Sequence, residues 1–205
     1  MYETVPFLPE HIFSLDLCNL DGYTENFSLD FYFYYLLNHN TEMYITKKDY
    51  TESNELYSEN IVAYIIGSNR EEELLLKDFK GNGEKYTKVL KTHVSALTVA
   101  PTERKRGLGT ILMNLLEENG NFIGSMFCDL YVKVDNLKAI EFYRKSGYFV
   151  YRKVFEYYTC PMVDAYDMRK SLWADRATCK REGCSHEECG YFNGLIGKDI
   201  HQSEL

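Results

Sequence analysis

Val94-Ser-Ala-Leu-Thr-Val-Ala-Pro-Thr-Glu-Arg-Lys-Arg-Gly-Leu-Gly-Thr-Ile-Leu-Met113 decides how this chain of 205 residues is read. A strand pattern runs up to Pro101, a basic turn broken by glycines follows, and then a helix striped with apolar residues. Arg104, Gly107 and Gly109 fall in an Arg-x-x-Gly-x-Gly spacing at the helix start. Glycines there let a phosphate approach the backbone, and the unpaired N–H groups of the first helical turn point at it. Arg104, Lys105 and Arg106 add three cations, which suits a pyrophosphate. A solvated turn with two fortuitous glycines is the plainer alternative, because glycine punctuates many loops. Two other phosphate loops are excluded. No Lys-Ser or Lys-Thr follows Gly109, and Leu112 stands where a dinucleotide fingerprint needs its third glycine. Leu108, Ile111, Leu112, Leu115 and Leu116 carry the stripe of a helix packed on a sheet.

The chain around this stretch is acidic, with a net charge of −8, so the 104–106 cluster is a local exception. That balance argues against direct nucleic-acid binding, whose electrostatic term needs a basic face. No apolar run is long enough to span a bilayer, and the first residues do not read as a leader. The expectation is a cytoplasmic protein without membrane contact. Six cysteines fit reduced thiols there, with Cys18, Cys128 and Cys160 widely scattered.

Working outward, residues 9–19 and 28–38 read as two short helices, with Ser28 as N-cap of the second. Residues 42–46 and 61–67 read as strands, and 47–60 has the composition of a hairpin loop. The charged, glycine-containing segment 69–87 predicts a surface excursion. A strand over about 88–99 leads into the phosphate turn and a helix over about 106–119. Residues 127–134 alternate, with Cys128, Leu130, Val132 and Val134 on one face and Asp129, Tyr131 and Lys133 on the other. Asp135 and Asn136 cap a helix to about Ser146, and Gly147 ends it. Residues 148–158 and 165–169 form a closing pair of strands. The order implies an α/β domain over 1–173, a mixed central sheet with helices on both faces, followed by a polar tail over 174–205.

The turn at 104–110 resembles the acyl-coenzyme A loop of the GNAT-type N-acetyltransferases. A second stretch carries the same resemblance: Val134-Asp-Asn-Leu-Lys-Ala-Ile-Glu-Phe-Tyr-Arg-Lys-Ser-Gly-Tyr148. In that family an Asn after the fifth strand and a Tyr on the next helix reach the cofactor, here Asn136 and Tyr143. Taken locally the two are a helix cap and a core aromatic; beside the phosphate loop the functional reading prevails. The resemblance narrows further. Leu20-Asp-x-x-Thr-Glu25, Phe31-Tyr32, His93-Val-Ser-Ala-Leu97, Tyr151-Arg152, Glu156-Tyr-Tyr158 and Asp164-Ala-Tyr-Asp-Met-Arg-Lys170 are together similar to the catalytic subunits of N-terminal acetyltransferase B (NatB), over residues 1–172.

What the resemblance implies is specific. The GNAT fold would bind acetyl-CoA through Leu97, Val99, Arg104, Lys105, Arg106, Gly107, Leu108, Gly109, Thr110, Asn136 and Tyr143. The substrates would be nascent polypeptide N-termini beginning Met-Asp, Met-Glu, Met-Asn or Met-Gln. A large helical-repeat auxiliary subunit would be the partner and would mediate ribosome association. Glu25, Phe27, His93, Ser95, Tyr157 and Tyr158 would contact the peptide, with Tyr143 and His93 nearest the chemistry. Phe27 stands where tyrosine is usual, which removes one hydroxyl near the entrance, while Ser95 replaces a common threonine and keeps the hydroxyl. Segments 47–60 and 69–87 are longer or differently composed than in that family.

The chemistry follows from the groups. An α-amine has a pKa near ~7.7–8.0, so much of it is already neutral, and positioning it against a thioester matters more than a strong base. Direct transfer without an acyl-enzyme is the simpler scheme, as no Cys-His pair is suggested. Tyr143 is placed to hydrogen-bond or protonate the leaving thiolate, and backbone N–H groups beside Leu97 and Val99 to polarise the carbonyl. His93 and Ser95 share a strand face with Leu97 and Val99. Local sequence favours a structural role for His93; the resemblance makes it the reader of the second substrate residue, since imidazole donates to a carboxylate or an amide oxygen. Tyr157 and Tyr158 form the lip, or pack as a strand pair with one ring buried. Phe31-Tyr-Phe-Tyr-Tyr-Leu-Leu37 is apolar all round, part core and part docking face.

Cys179, Cys184, His186 and Cys189 put four soft ligands in the tail and make a weak zinc candidate, yet their spacing matches no common zinc knuckle, and free thiols on a polar tail are the plainer explanation. No metal is expected. Two other functions remain open on sequence. The scaffold can acetylate lysine or a small amine, which at pKa ~10.4 needs stronger deprotonation. It can also be a non-catalytic acyl-CoA-binding scaffold, against which the intact loop, Asn136 and Tyr143 argue.

Overall fold

Six consecutive apolar residues, Ile61 to Ile66, are all buried, the pattern of a strand covered on both faces. They open β3 (Ile61–Lys77) in a computed structural model that describes residues 1–20, 26–49, 60–77, 84–176 and 200–201. The chain packs as two compact units, Met1–Ser68 with Val94–Asn119 and Asn69–His93 with Gly120–Leu205.

In the first unit β1 (Tyr2–Pro6) pairs antiparallel with β2 (Met43–Lys48), which pairs antiparallel with β3, and β4 (Glu84–Val99) lies next to β3. Residues 9–19 are not one helix: a 3-10 segment, Pro9–Ser14, is followed by a single turn, α1 (Asp16–Asn19). The 3-10 segment begins where His11 Nδ1 accepts from the Leu8 N–H at 2.9 Å. α2 (Leu29–Asn38) starts after Ser28 as expected, although the serine side chain makes no capping bond. α3 (Leu108–Ile123) begins two residues later and ends four later than the pattern predicts. The core is Phe7, Leu15, Tyr32, Met43, Ile45 and the 61–66 run, with Leu112 and Leu116 from α3.

In the second unit the strand order is β3-β4-β5-β7-β6-β8. β5 (Phe127–Lys133) and β7 (Met162–Ser171) are antiparallel, as are β7 and β6 (Phe149–Thr159). α4 (Leu137–Lys145) follows β5, capped by Asn136 and ended at Gly147 with φ +90°. Of residues 174–205, two pieces are described: the end of α5 (Trp173–Arg176) and β8 (Ile200–His201), which pairs parallel with β6 at Val154 and Phe155.

Two further expectations are corrected. Most of 69–87 is strand, because β3 runs to Lys77 and β4 starts at Glu84; its charges do not force it into solvent, since Glu72 turns inward onto Lys91 and Arg169. The alternation along β5 does not separate a core face from a wet one, since Phe127, Cys128, Asp129 and Leu130 are all buried. No helix among the described residues is long and apolar enough to cross a membrane.

Candidate active site

The phosphate turn lies in the first unit. Lys105 and Gly107 both have positive φ, +62° and +82°, which turns the chain into the helix within three residues. The first intrahelical bond runs from Ile111 N–H to the Gly107 carbonyl at 3.0 Å, so the N–H groups of Leu108, Gly109 and Thr110 precede the ladder and stay available. A Cβ on Gly107 would meet nothing within 4 Å. That open space before bare N–H groups at the start of a sixteen-residue helix suits a diphosphate. The cations divide their work. Arg104 Nε donates to the Val99 carbonyl at 3.0 Å, and Arg106 Nε pairs with Glu103 at 3.1 Å. Glu103 is buried and also receives Lys48 at 2.6 Å and the Tyr2 hydroxyl. Hydrogen bonds from Lys48 and Tyr2 hold its carboxyl below the usual range. Two of the three cations therefore brace the turn as well as charge it. Sequence reasoning passed over Glu103.

Two peptide-site expectations, Ser95 and Phe27, and two cofactor-site expectations, Leu97 and Val99, also fall in this unit. Ser95 Oγ is 2.6 Å from the Tyr35 hydroxyl, which fixes its direction. Leu97 and Val99 are half-buried on the same strand face. Phe27 stacks on Phe31 with centroids 4.0 Å apart and lies edge-on to Tyr32, so the ring packs where a tyrosine would add a hydroxyl. Glu25 lies outside the described residues, as do Cys179, Cys184, His186 and Cys189. Among the described residues no cluster of His, Cys, Asp or Glu could hold a metal.

The second unit brings His93, Tyr157 and Tyr158 together through a residue not singled out in the sequence. Tyr131 lies 5.6 Å from the His93 ring and stacks on Tyr157 at 4.6 Å; Tyr157 meets Tyr158 edge-on at 5.0 Å. The Tyr158 hydroxyl donates back to the Tyr131 carbonyl at 3.4 Å. Both lip tyrosines are half-buried. A bulge makes this possible. β6 loses register with β7 between Val154 and Tyr158, Glu156 has φ +55°, and its N–H donates to Asp164 Oδ1 at 2.9 Å, re-aiming consecutive side chains.

Behind His93 runs a buried chain of alternating charge. His93 Nδ1 is 3.0 Å from Asp129 Oδ1, and Asp129 Oδ2 is 2.9 Å from Lys91 Nζ. Lys91 continues to Glu72 at 2.5 Å, Glu72 to Arg169 at 3.0 Å, Arg169 to Asp167 at 3.0 Å, and Asp167 to Arg152 at 2.9 Å. The Arg169 guanidinium also lies between the rings of Phe127 and Tyr151. Burial opposes ionisation of Asp129, yet His93 and Lys91 outweigh it and hold the carboxyl well below the usual range. Burial likewise pushes the Tyr131 hydroxyl up to about 12. An aspartate in the middle of an apolar strand was the available signal for this network.

Asn136 caps the start of α4, and Tyr143 lies seven residues on, near the end of the helix. Asn136 Oδ1 accepts from Ala139 N–H at 3.2 Å, the plainer role, and this leaves its amide N–H₂ for a ligand. Tyr143 is half-buried, and burial pushes its hydroxyl well above its ordinary value. That hydroxyl has no hydrogen-bond partner among the described residues. A neutral phenol with an uncommitted proton is suited to donate.

The sequence matches the model of the Acetyltransferase (GNAT) family over residues 14–148. The chain belongs to this family. Within it the relatives include NatB catalytic subunits. The chain is 35% identical to the N-terminal acetyltransferase B complex catalytic subunit naa20 of Schizosaccharomyces pombe, across 85% of its length and 88% of the relative's. It is 34% identical to the NAT3 subunit of Saccharomyces cerevisiae, across 89% and 93%. Among solved structures it is similar to Chaetomium thermophilum Naa20 in complex with a bisubstrate analogue, with TM-score 0.70 and 29% identity over 98% of this chain and 97% of that one. The NatB acetyltransferase complex bound to CoA and MES gives TM-score 0.65 and 32% identity over 83% and 99%. The α/β fold expected from the sequence is thereby the GNAT fold, and the chain is an acyltransferase of the NatB catalytic-subunit type.

Proposed function

We propose that this GNAT enzyme transfers acetyl from acetyl-CoA to the α-amine of nascent chains beginning Met-Asp, Met-Glu, Met-Asn or Met-Gln. The observation that carries the substrate reading is the His93–Asp129 contact at 3.0 Å. With Nδ1 committed, Nε2 is the ring atom left for the second side chain of the peptide. Acetyl-CoA supplies the activated thioester, its diphosphate held by the 107–110 N–H groups and the 104–106 cations, and Asn136 is a further contact to it. The amine attacks the thioester carbonyl directly, the C–N bond forms as the C–S bond breaks, Tyr143 hydrogen-bonds the departing thiolate, and the proton shed by the amine nitrogen ends on that sulfur. N–H groups beside Leu97 and Val99 polarise the carbonyl. Tyr157 and Tyr158 bind peptide backbone at the lip, and Phe27, Ser95 and Glu25 complete the entrance. Methionine's flexible thioether fills the apolar part of the site.

The reading extends to assembly. The exposed face of α2 docks a large helical-repeat auxiliary subunit, which brings the enzyme to the ribosome in the cytoplasm. The acetyltransferase domain is assigned to residues 1–173 and a polar tail to 174–205, of which residues 200–201 add a short strand beside β6.

The test is acetyl transfer to short peptides varied at residues one and two. Met-Asp and Met-Glu are acetylated, Met-Asn and Met-Gln are accepted, and Ser-, Ala- and Met-Leu starts give little product. A site built to bond a polar side chain rejects an analogue that leaves its own polar group unpaired. His93→Ala costs about 1–3 kcal/mol in kcat/KM for Met-Asp and much less for Met-Leu. Equal kinetics on Met-Asp and Met-Leu with the unmodified enzyme would refute the specificity and leave a general acetyltransferase.

A further inference from the structure

The charge chain behind His93 is larger than a histidine needs if it serves only as a packed ring. Apart from His93 it contains three acids, Asp129, Glu72 and Asp167, and three bases, Lys91, Arg169 and Arg152. The six charges cancel. His93 sits at one end, its side chain 12% exposed, while that of Asp129 beside it is fully buried. Among the described residues of this unit the charged and titratable groups around the imidazole are Asp129 and Tyr131 of β5, Lys91 of its own strand, Glu72 of β3 behind Lys91, and Tyr157 of β6 behind Tyr131.

We propose that Asp129 is a positioning residue for substrate selection: it holds the Nδ1 proton of His93, turns Nε2 toward the second residue of the peptide, and makes recognition of an acidic second residue depend on a proton at Nε2. The proposal rests on the reading of His93 given above. A carboxylate accepts hydrogen bonds and cannot donate, so its partner at Nδ1 is an N–H. The neutral ring then presents a lone pair at Nε2. That lone pair accepts from the amide of Asn or Gln and repels the carboxylate of Asp or Glu. To bind an acidic side chain, Nε2 must also carry hydrogen, which makes the ring an imidazolium. Asp129, which His93 and Lys91 hold ionised against the cost of burial, keeps its side of the ring occupied by the Nδ1 proton, so the proton an acidic side chain needs can sit only at Nε2. Because the other six charges cancel, the imidazolium is the one net charge of the chain, and the acidic side chain of the substrate neutralises it. The same pocket thus accepts acids and amides in two protonation states.

The experiment measures kcat/KM for Met-Asp and Met-Asn peptides across about pH 6–9, with the catalytic and auxiliary subunits together. Titration of the peptide α-amine is common to both substrates and cancels in their ratio, and the aspartate side chain, pKa ~3.9, stays ionised throughout. The Met-Asp to Met-Asn ratio falls as pH rises, approaching about tenfold per pH unit on the alkaline side. A flat ratio in an enzyme that still prefers Met-Asp to Met-Leu overturns the proposal alone. Loss of the preference over Met-Leu overturns the functional reading and this inference with it. Asp129→Asn removes the pH term from the ratio. The paired variant Asp129→Asn with Lys91→Gln deletes one charge of each sign, keeps the chain balanced if the single change does not fold, and gives the same flat ratio. A wild-type profile in either variant overturns the role of Asp129. Calorimetry of the unmodified complex with CoA, in buffers of different ionisation enthalpy, reads the proton without substitution. Uptake is greater with Met-Asp than with Met-Asn, and equal uptake overturns the proposal.

Discussion

Gly107 combines a backbone angle that side chains avoid with a space that nothing else fills. Its φ of +82° and the empty volume at its Cβ position separate two effects of substitution. Gly107→Ala meets no atom but forces an L-residue into the left-handed region, costing about 1–2 kcal/mol of stability. Gly107→Glu carries the same strain and adds a carboxylate in front of the N–H groups of Leu108, Gly109 and Thr110, where it competes with the diphosphate. The expected outcome is a modest loss of acetyl-CoA affinity for the alanine variant and a loss of about 100-fold or more for the glutamate variant, both read by calorimetry on protein with a checked melting curve. Equal affinities for the two would remove the phosphate assignment. This glycine could be read from its spacing because the constraint is local. Asp129 and Glu103 could not be read in the same way. Their burial is tolerated only because Lys91 and His93, or Lys48 and Tyr2, arrive from strands distant in sequence, and a buried charge shows its meaning only through its partner.

On α2 the apolar residues fall on two faces. Tyr32 and Tyr35 are buried in the first unit, while Leu29, Phe33 and Leu37 recur every four residues and are exposed, a stripe along one side of the helix. Leu37 is 82% exposed, so it contributes little to the fold of the isolated chain. Phe33→Glu combined with Leu37→Glu is expected to leave stability within about 1 kcal/mol, since surface changes away from special features cost little. The same pair should abolish co-purification with the auxiliary subunit, because two carboxylates would be buried without partners at the docking face. Undiminished co-purification would move the docking surface off this helix. The excess of apolar residues was visible in 31–37; which ring turns inward was not, since it depends on what α2 packs against. The same limit hid β1, a five-residue strand with no apolar run. It also made 69–87 look like a loop, when its charges line a strand and find opposite charges across the sheet.

Stability of the whole molecule carries the imprint of groups held neutral in its interior. Cys18 is fully buried, its thiol donating to the Ile61 carbonyl at 3.6 Å, and burial pushes its pKa up to about 12. In the unfolded chain the same thiol ionises near ~8.5. The unfolded state therefore releases this proton first as pH rises, and every unit of pH between the two values favours unfolding. Below about pH 8.5 the contribution is fully present, and above it stability falls by about 1.4 kcal/mol per pH unit until the folded thiol also titrates. Tyr131, likewise pushed up to about 12 by burial, joins once the unfolded tyrosine ionises near ~10. Cys18→Ala isolates the first effect. It removes a buried sulfur and is less stable than the parent at pH 7 by about 1 kcal/mol, yet it has no thiol to ionise. Urea unfolding at several pH values should show the deficit shrinking above about pH 9 by about 1.4 kcal/mol per unit, with the two curves crossing before about pH 11. Parallel curves would mean that the alkaline loss arises elsewhere in the chain and that the Cys18 thiol is reached by water in the folded state.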